Sequence, residues 1–369
     1  MSPRRSPGSA RFSKIDEAIL KAADLEPTLD VIVAQAQRVL EVDAADVFLY
    51  DPVTSNLRYG AGAGFRTHLP RGTPLALGSG LAGQAALHSE PLGVPDLSTS
   101  ALPDVPKELV EQEGFVSYYA VPLISKGELQ GVLGAHHRSP LAMEEAWCDM
   151  AADLGRQAAI AIDHAQLFAD LQRSRDELQL SYDRTIEGWA RALDLKDEET
   201  AGHSQRVTKL TVDLAWKLGF SGEALADVRR GALLHDIGKM GIPDAILLKP
   251  GKLDAEEWEI IKRHPVHARD FLAGVPFLER ALDIPYAHHE RWDGSGYPRG
   301  LLGEDIPLPA RIFAVADVYD ALTSDRPYRA AWSRAQAYEH IEREAGAHFD
   351  PRIVAAFLEL LDEQPSTAD

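Results

Sequence analysis

Six of the thirteen histidines in this 369-residue chain fall between His203 and His289, and five of those stand beside a second ligand type or at an expected helix end. A single histidine on a helix is ordinarily a satisfied core or surface residue. A cluster of them among carboxylates points to a metal centre. Glu199 and His203 are four residues apart, so they share a face if a helix begins by Glu199. His235 and Asp236 are adjacent at the close of an apolar helix, an imidazole beside a carboxylate able to bridge two cations. His264 precedes Pro265, which disfavours helix at the residue before it and so ends or kinks the segment there. His288 and His289 pair at another helix end, just before a glycine-rich loop that starts at Asp293. Asp317 lies in the apolar run Ala310 to Leu322, where an unpaired carboxylate would be costly to bury.

These residues offer five imidazoles, three carboxylates and no sulfur, and the sole cysteine, Cys148, excludes a thiolate cluster or an internal disulfide. Such nitrogen and oxygen ligands suit iron, manganese or zinc, with iron and manganese foremost, and eight of them are enough for two or three divalent ions. Paired cations a few ångströms apart lower the pKa of a shared water and neutralise charge developing on phosphorus, which is the chemistry of phosphodiester hydrolysis. No protein nucleophile is required.

Other residues around these fit a phosphate substrate. Lys239 follows Asp236 by one turn and can meet a phosphate oxygen as a point charge, or else be an ordinary solvated lysine. Arg326 and Arg329 are three apart and can offer forked donors to a phosphate, or be a solvated pair. In Gly294-Ser295-Gly296-Tyr297-Pro298, glycines such as Gly296 permit close backbone approach to a ligand, and Tyr297 adds a hydroxyl or a stacking face. His267, His340 and His348 read as surface histidines.

The elements that must position these groups fall into two domains. Residues 1–13 (MSPRRSPGSARFS) lack apolar periodicity and read as a disordered arm. Residues 15–165 read as an α+β domain, an antiparallel sheet flanked by helices. A helix over Ile15 to Leu40 leads to strands near 47–50, 57–59, 92–94, 118–124 and 130–135, with a short helix ending near His88. From Met143 to Leu195 there is almost no Gly or Pro, so a long helix is expected, with 166–195 a connector that pairs with a second copy as a coiled coil or packs on its own domains. Residues 196–362 read as an all-α bundle, and 363–369 as a tail. Its helices are expected over Val207–Leu218, Ala224–Ile237 (closed by Gly238), Asp254–Arg263 (opened by an Asp254/Glu257 capping pair), Leu278–His289, Pro309–Leu322, Ser333–Ala345 and Pro351–Leu361.

Composition excludes several classes. A formal charge of −19 repels a phosphate backbone, so DNA and RNA are not expected partners, while a small phosphorylated ligand met by local arginines is compatible. Apolar stretches such as Ala158 to Ile162 are too short for a membrane span, and the N-terminus lacks the apolar core of a signal peptide; a soluble, cytoplasmic protein is expected. His68, His88, His136, His137 and Cys148 have no spacing that suggests haem, metal or bilin attachment.

Two resemblances sharpen this reading. The stretch GSGLAGQAALHSEPLGVPDL followed by YYAVPLISKGELQGVLGA resembles the GAF family of small-molecule sensor domains over residues 15–165, with no ligand legible. His235-Asp236-Ile237-Gly238-Lys239, followed by His288-His289-Glu290-Arg291-Trp292-Asp293-Gly294-Ser295-Gly296-Tyr297-Pro298, resembles the HD-GYP family. The match continues through Thr200-Ala201-Gly202-His203-Ser204, Ala316-Asp317 to Arg329 and Phe349-Asp350-Pro351. That resemblance implies an HD-type bundle that hydrolyses cyclic di-GMP to pGpG and onward to GMP under control of the GAF-like domain. It implies His203, His235, Asp236, His264, His288, His289 and Asp317 as metal ligands, Asp236 bridging, and Glu199 holding a third ion. Lys239, His235 and Asp236 would stand at the reacting phosphate, and Arg326 and Arg329 at the second phosphate. The alternatives are a non-catalytic cyclic di-GMP adaptor, and a phosphohydrolase for another cyclic dinucleotide or nucleotide.

Overall fold

The computed structural model describes residues 24–67, 74–98, 111–196, 202–325 and 330–363. The chain divides into two compact units, Met1–Glu177 and Leu178–Asp369.

The first unit is built on a six-stranded antiparallel sheet of order β3-β2-β1-β6-β5-β4. Its strands are β1 (Ala44–Asp51), β2 (Asn56–Ala63), β3 (Leu75–Ala76), β4 (Leu92–Val94), β5 (Ser117–Ser125) and β6 (Glu128–His137). Period-two alternation sorts the central strands into two apolar faces. Val47, Leu49, Val121, Leu123 and Leu133 pack under helix α1 (Leu25–Val39) and the start of the long helix α3 (Glu145–Lys196). Phe48, Tyr118, Ala120 and Val132 face helix α2 (Gly80–His88). Lys126 and Gly127 both adopt positive φ, 52° and 86°, and so join β5 to β6 as the two-residue hairpin that right-handed strand twist favours. The predicted strands are all present. The two-residue β3 carries too little pattern to be read in advance, and the expected helix start at Ile15 lies outside the described residues.

Helix α3 runs unbroken for 52 residues, as the near-absence of Gly and Pro implies. Ala151, Leu154, Ala158 and Ile162 are buried in the first unit's core, whereas Ile186 and Ala190 are buried in the second's.

In the second unit, helices α4 (His203–Lys217), α5 (Gly222–Leu233), α6 (Asp244–Leu247), α7 (Ala255–Ile261), α8 (His264–Leu272), α9 (Asp283–Ala287), α10 (Leu308–Thr323), α11 (Arg334–Arg343) and α12 (Pro351–Glu363) form the bundle. Its centre is α10, whose Ile312, Phe313, Val315 and Ala316 pack among Val207, Leu214, Ile341, Phe349 and Phe357. The Asp254/Glu257 capping box opens α7 as read from the sequence.

Three expectations need correction. Helix α4 begins at His203, after Gly202 at φ 79°, and not by Glu199, which lies outside the described residues. Helix α5 stops at Leu233 and not Ile237; the chain turns through His235 and Asp236 into a 3-10 turn, Ile237–Gly241. Gly238 closes no helix there: a Cβ on it would lie 1.8 Å from the His264 carbonyl oxygen, so its role is to let α8 approach. The expected helix 278–289 is broken into a 3-10 turn, Arg280–Leu282, and short α9. Pro285 offers no N–H to the Ala281 carbonyl and its ring crowds that oxygen, which ends any longer helix through it.

Candidate metal centre

Helix ends, not helix faces, assemble the centre. His235 and Asp236 sit between α5 and the 3-10 turn, His264 opens α8, His288 and His289 follow α9, His203 opens α4, and Asp317 alone projects from mid-helix on α10. The side chains gather into two groups, Asp236 with His264, His288 and His289, and His203 with His235 and Asp317, the ligand atoms of each group lying within 4.8 Å of one another.

Hydrogen bonding fixes which nitrogen of each ring points inward. His235 Nδ1 lies 2.9 Å from the Ala232 carbonyl, His264 Nδ1 2.8 Å from that of Ile261, and His288 Nδ1 3.2 Å from those of Ile284 and Pro285. A carbonyl only accepts, so each Nδ1 carries a proton and each Nε2 is the nitrogen turned to the centre, a lone-pair donor whenever the ring is neutral. As neutral rings, His264 Nε2 and His288 Nε2 face each other at 3.3 Å with no proton between them. Two lone pairs at that distance repel, and a shared cation turns the repulsion into coordination. The donor set therefore fits divalent metal.

Asp236 touches both groups. Its Oδ1 lies 3.3 Å from His264 Nε2 and 3.7 Å from His288 Nε2, while its Oδ2 lies 3.0 Å from His235 Nε2. Lys239, one 3-10 turn on, places Nζ 2.7 Å from the same Oδ2. Burial works to raise the Asp236 pKa, but Lys239 and His235 outweigh it and hold the carboxyl well below its ordinary value. Burial pushes His264 down to about 4 and lowers His289 as well, so both rings are neutral and able to ligate at neutral pH.

Two models of known families match the chain: an HD domain over residues 188–353 and a GAF domain over residues 24–162. This is an HD-domain protein with a GAF domain. It is closely related to HD-GYP-family cyclic di-GMP phosphodiesterases. The chain is 42% identical over 205 residues to the cyclic di-GMP phosphodiesterase response regulator RpfG of Xanthomonas campestris pv. campestris, covering 55% of this chain and 53% of that one. It is 45% identical over 170 residues to a cyclic di-GMP phosphodiesterase of Thermotoga maritima, covering 46% of each. It is 38% identical over 206 residues to the 3'3'-cGAMP-specific phosphodiesterase 2 of Vibrio cholerae, covering 55% of this chain and 38% of that one. The chain thus spans about half the length, or less, of the curated relatives it matches. Among the described residues no helix is long and apolar enough to cross a membrane.

Within the HD domain, the glycine-rich loop stands over the first group. Tyr297 stacks on His289 with ring centroids 4.7 Å apart, and Lys262 Nζ lies 6.0 Å from the Tyr297 ring centroid. The sequence reading gave Gly296 a ligand to approach, but a Cβ there would meet Arg291 N at 2.3 Å and Glu290 Cα at 2.5 Å. Its missing side chain makes room for the HD domain's own backbone. Arg326 and Arg329 lie outside the described residues.

Sequence reasoning missed two buried acids of the HD domain. Glu290 is 2% exposed and accepts from Arg299 N at 2.8 Å and Leu301 N at 2.9 Å, which pins the far side of the Tyr297 loop. Asp320 accepts from His203 Nδ1 at 2.8 Å. The signal for Asp320 was present: it stands one turn past Asp317 on the same apolar helix, where a second carboxylate also needs a partner. Glu290 sits inside a recognised motif, but its two backbone partners come from beyond the turn and no spacing announces them.

Proposed function

We propose that the HD domain is a metal-dependent phosphodiesterase that hydrolyses a cyclic dinucleotide, cyclic di-GMP first, to the linear pGpG and onward to GMP. The observation that carries this is Asp236, with one carboxylate oxygen turned to each of the two ligand groups. Names of relatives, which include cyclic di-GMP phosphodiesterases, support the substrate class. Paired iron or manganese ions would supply water activation and charge neutralisation at phosphorus. His203, His235 and Asp317 would hold one ion, His264, His288 and His289 the other, with Asp236 shared and Glu199 available to a third.

The remaining work belongs to the chain's own groups. Lys239 offers a cation beside Asp236, suited to a phosphate oxygen at the bridge. Tyr297, stacked on His289, offers a hydroxyl and a face at the mouth of the first group. Burial raises its pKa, so it stays a neutral donor at physiological pH. Arg326 and Arg329 are assigned to the second phosphate. A 3'3'-cGAMP substrate is the second reading, favoured by the specificity named for Vibrio cholerae relatives.

Control by the GAF domain and dimerisation through the connector complete the proposal. Leu167, Phe168, Leu171 and Leu178 of α3 are exposed, Leu171 to 67%, which supports pairing with a second copy. The test is hydrolysis of cyclic di-GMP and 3'3'-cGAMP by protein purified anaerobically with iron or manganese, beside a His235→Ala/Asp236→Ala control. Product from the parent alone supports the phosphodiesterase; no product at full metal occupancy favours the binding adaptor. Equal rates for the full chain and residues 170–369 would count against control by the GAF domain.

A further inference from the structure

One imidazole of the centre is held differently from its neighbours. His235, His264 and His288 each give their Nδ1 proton to a neutral backbone carbonyl three or four residues back. His203 is the first residue of α4, after Gly202 at a left-handed φ of 79°. Its Nδ1 faces a carboxylate instead, Asp320 Oδ2 at 2.8 Å. Asp320 and Asp317 lie three residues apart on α10, and Asp317 Oδ1 is 3.4 Å from the other nitrogen of the same ring. The central helix thus grips His203 from both sides.

Asp320 is itself fixed. It is 4% exposed, and Arg206, one turn along α4 from His203, donates from Nε to Oδ1 at 2.7 Å and from Nη2 to Oδ2 at 3.0 Å. The same Nη2 reaches Ser324 Oγ at 3.0 Å. A planar, forked donor on a carboxylate leaves it little rotational freedom.

An anionic acceptor behind an imidazole makes its opposite nitrogen a stronger donor than a neutral carbonyl does, and it fixes tautomer and ring orientation together. We infer that Asp320, clamped by Arg206, is a positioning residue that sets the metal affinity of the His203–His235–Asp317 group independently of the Asp236–His264–His288–His289 group. The two positions are therefore unequal: one includes a ring backed by a charged partner, whereas in the other the rings whose Nδ1 partners are described, His264 and His288, are backed by neutral carbonyls. This rests on the reading that both groups hold metal.

The experiment is equilibrium dialysis of the full chain against graded Mn(II), with bound metal counted by plasma mass spectrometry, for the parent, Asp320→Ala and Asp320→Asn. Removing such a partner weakens affinity roughly 10- to 100-fold. The expected result for Asp320→Ala is that one class of site weakens by that factor while the other keeps its parental affinity. Asp320→Asn, nearly isosteric and still able to accept from Nδ1, should fall between the two, a graded series that general loosening of the fold would not give. If Asp320→Ala binds like the parent, or if Asp320→Asn weakens both classes equally, the inference is overturned. A parent chain that holds fewer than two ions at saturation overturns the metal reading itself, and with it this inference.

Discussion

Gly238→Ala tests how the centre is built without touching a ligand. The new Cβ would lie 1.8 Å from the His264 carbonyl oxygen, 2.6 Å from Ala268 N and 2.7 Å from His264 C. All three are backbone, so no side chain can rotate away. Contacts of a real Cβ do not fall below 3.0 Å, so the start of α8 must retreat from the 3-10 turn by at least about 1.2 Å. His264 rides on that first turn, with Nε2 3.3 Å from both Asp236 Oδ1 and His288 Nε2. Metal–nitrogen bonds tolerate roughly ±0.2 Å, so a displacement several times larger removes His264 from the shared sphere. Overpacking of this kind costs about 1–3 kcal/mol in stability. The assay is metal per chain beside a urea unfolding curve of the HD domain. The expected result is loss of metal from one group with a lowered midpoint. Parental metal content and an unshifted midpoint together would refute the close-approach argument, since they would mean that α8 has slack.

Three further outcomes follow from buried polar groups. Glu290→Gln replaces one of two acceptor oxygens by an amide donor facing a backbone N–H, at a cost of about 1–3 kcal/mol; substrate KM should rise with metal content unchanged, and lost metal with normal KM would contradict the loop-pinning role. Arg230 is 3% exposed and serves Asp183 at 2.9 Å, Glu223 at 2.6 Å and Asp227 at 3.1 Å. Arg230→Met strands the buried Asp227 and should destabilise the HD domain by about 3 kcal/mol in urea, and an unchanged midpoint would show that water already satisfies it. Burial, aided by Arg291, depresses His348 from 6.5 to about 4. A depressed folded pKa gives stability that is full above pH 6.5 and lost as pH falls toward 4, because only the unfolded chain takes up the proton. His348→Gln should flatten the urea midpoint across that window, and an unaltered slope would remove His348 as its source.

The chemistry of the centre was largely legible from residue types. A histidine-rich cluster without sulfur marks a candidate metal centre with nitrogen and oxygen donors, and motifs such as His235-Asp236 survive in one dimension because their members are neighbours in the chain. The strands of the first unit were legible too, since alternation with period two is a local signal that the sheet only has to honour. The unbroken α3 followed from a stretch with almost no helix breaker.

Other features required the tertiary structure. Periodicity carried α5 on through His235 to Ile237, because it does not report a helix end, where the direction of a side chain is set by the turn and its packing partner. Gly238 reads in sequence as closing a helix and Gly296 as admitting a ligand, and each lies against another stretch of backbone that a Cβ would strike. His348 reads as a surface histidine, whereas the structure half-buries it, with its carbonyl accepting from Trp292 N and its ring stacked on Phe349 at 4.2 Å. Sequence alone determined which groups can ligate and which elements form, because composition and periodicity act locally. Only the tertiary structure decided that seven candidate ligands fall into two groups joined by Asp236, and that among His203, His235, His264 and His288 it is His203 whose Nδ1 faces a carboxylate. Those facts depend on distances between α4, α5, α8 and α10, and no one-dimensional pattern encodes a distance between helices.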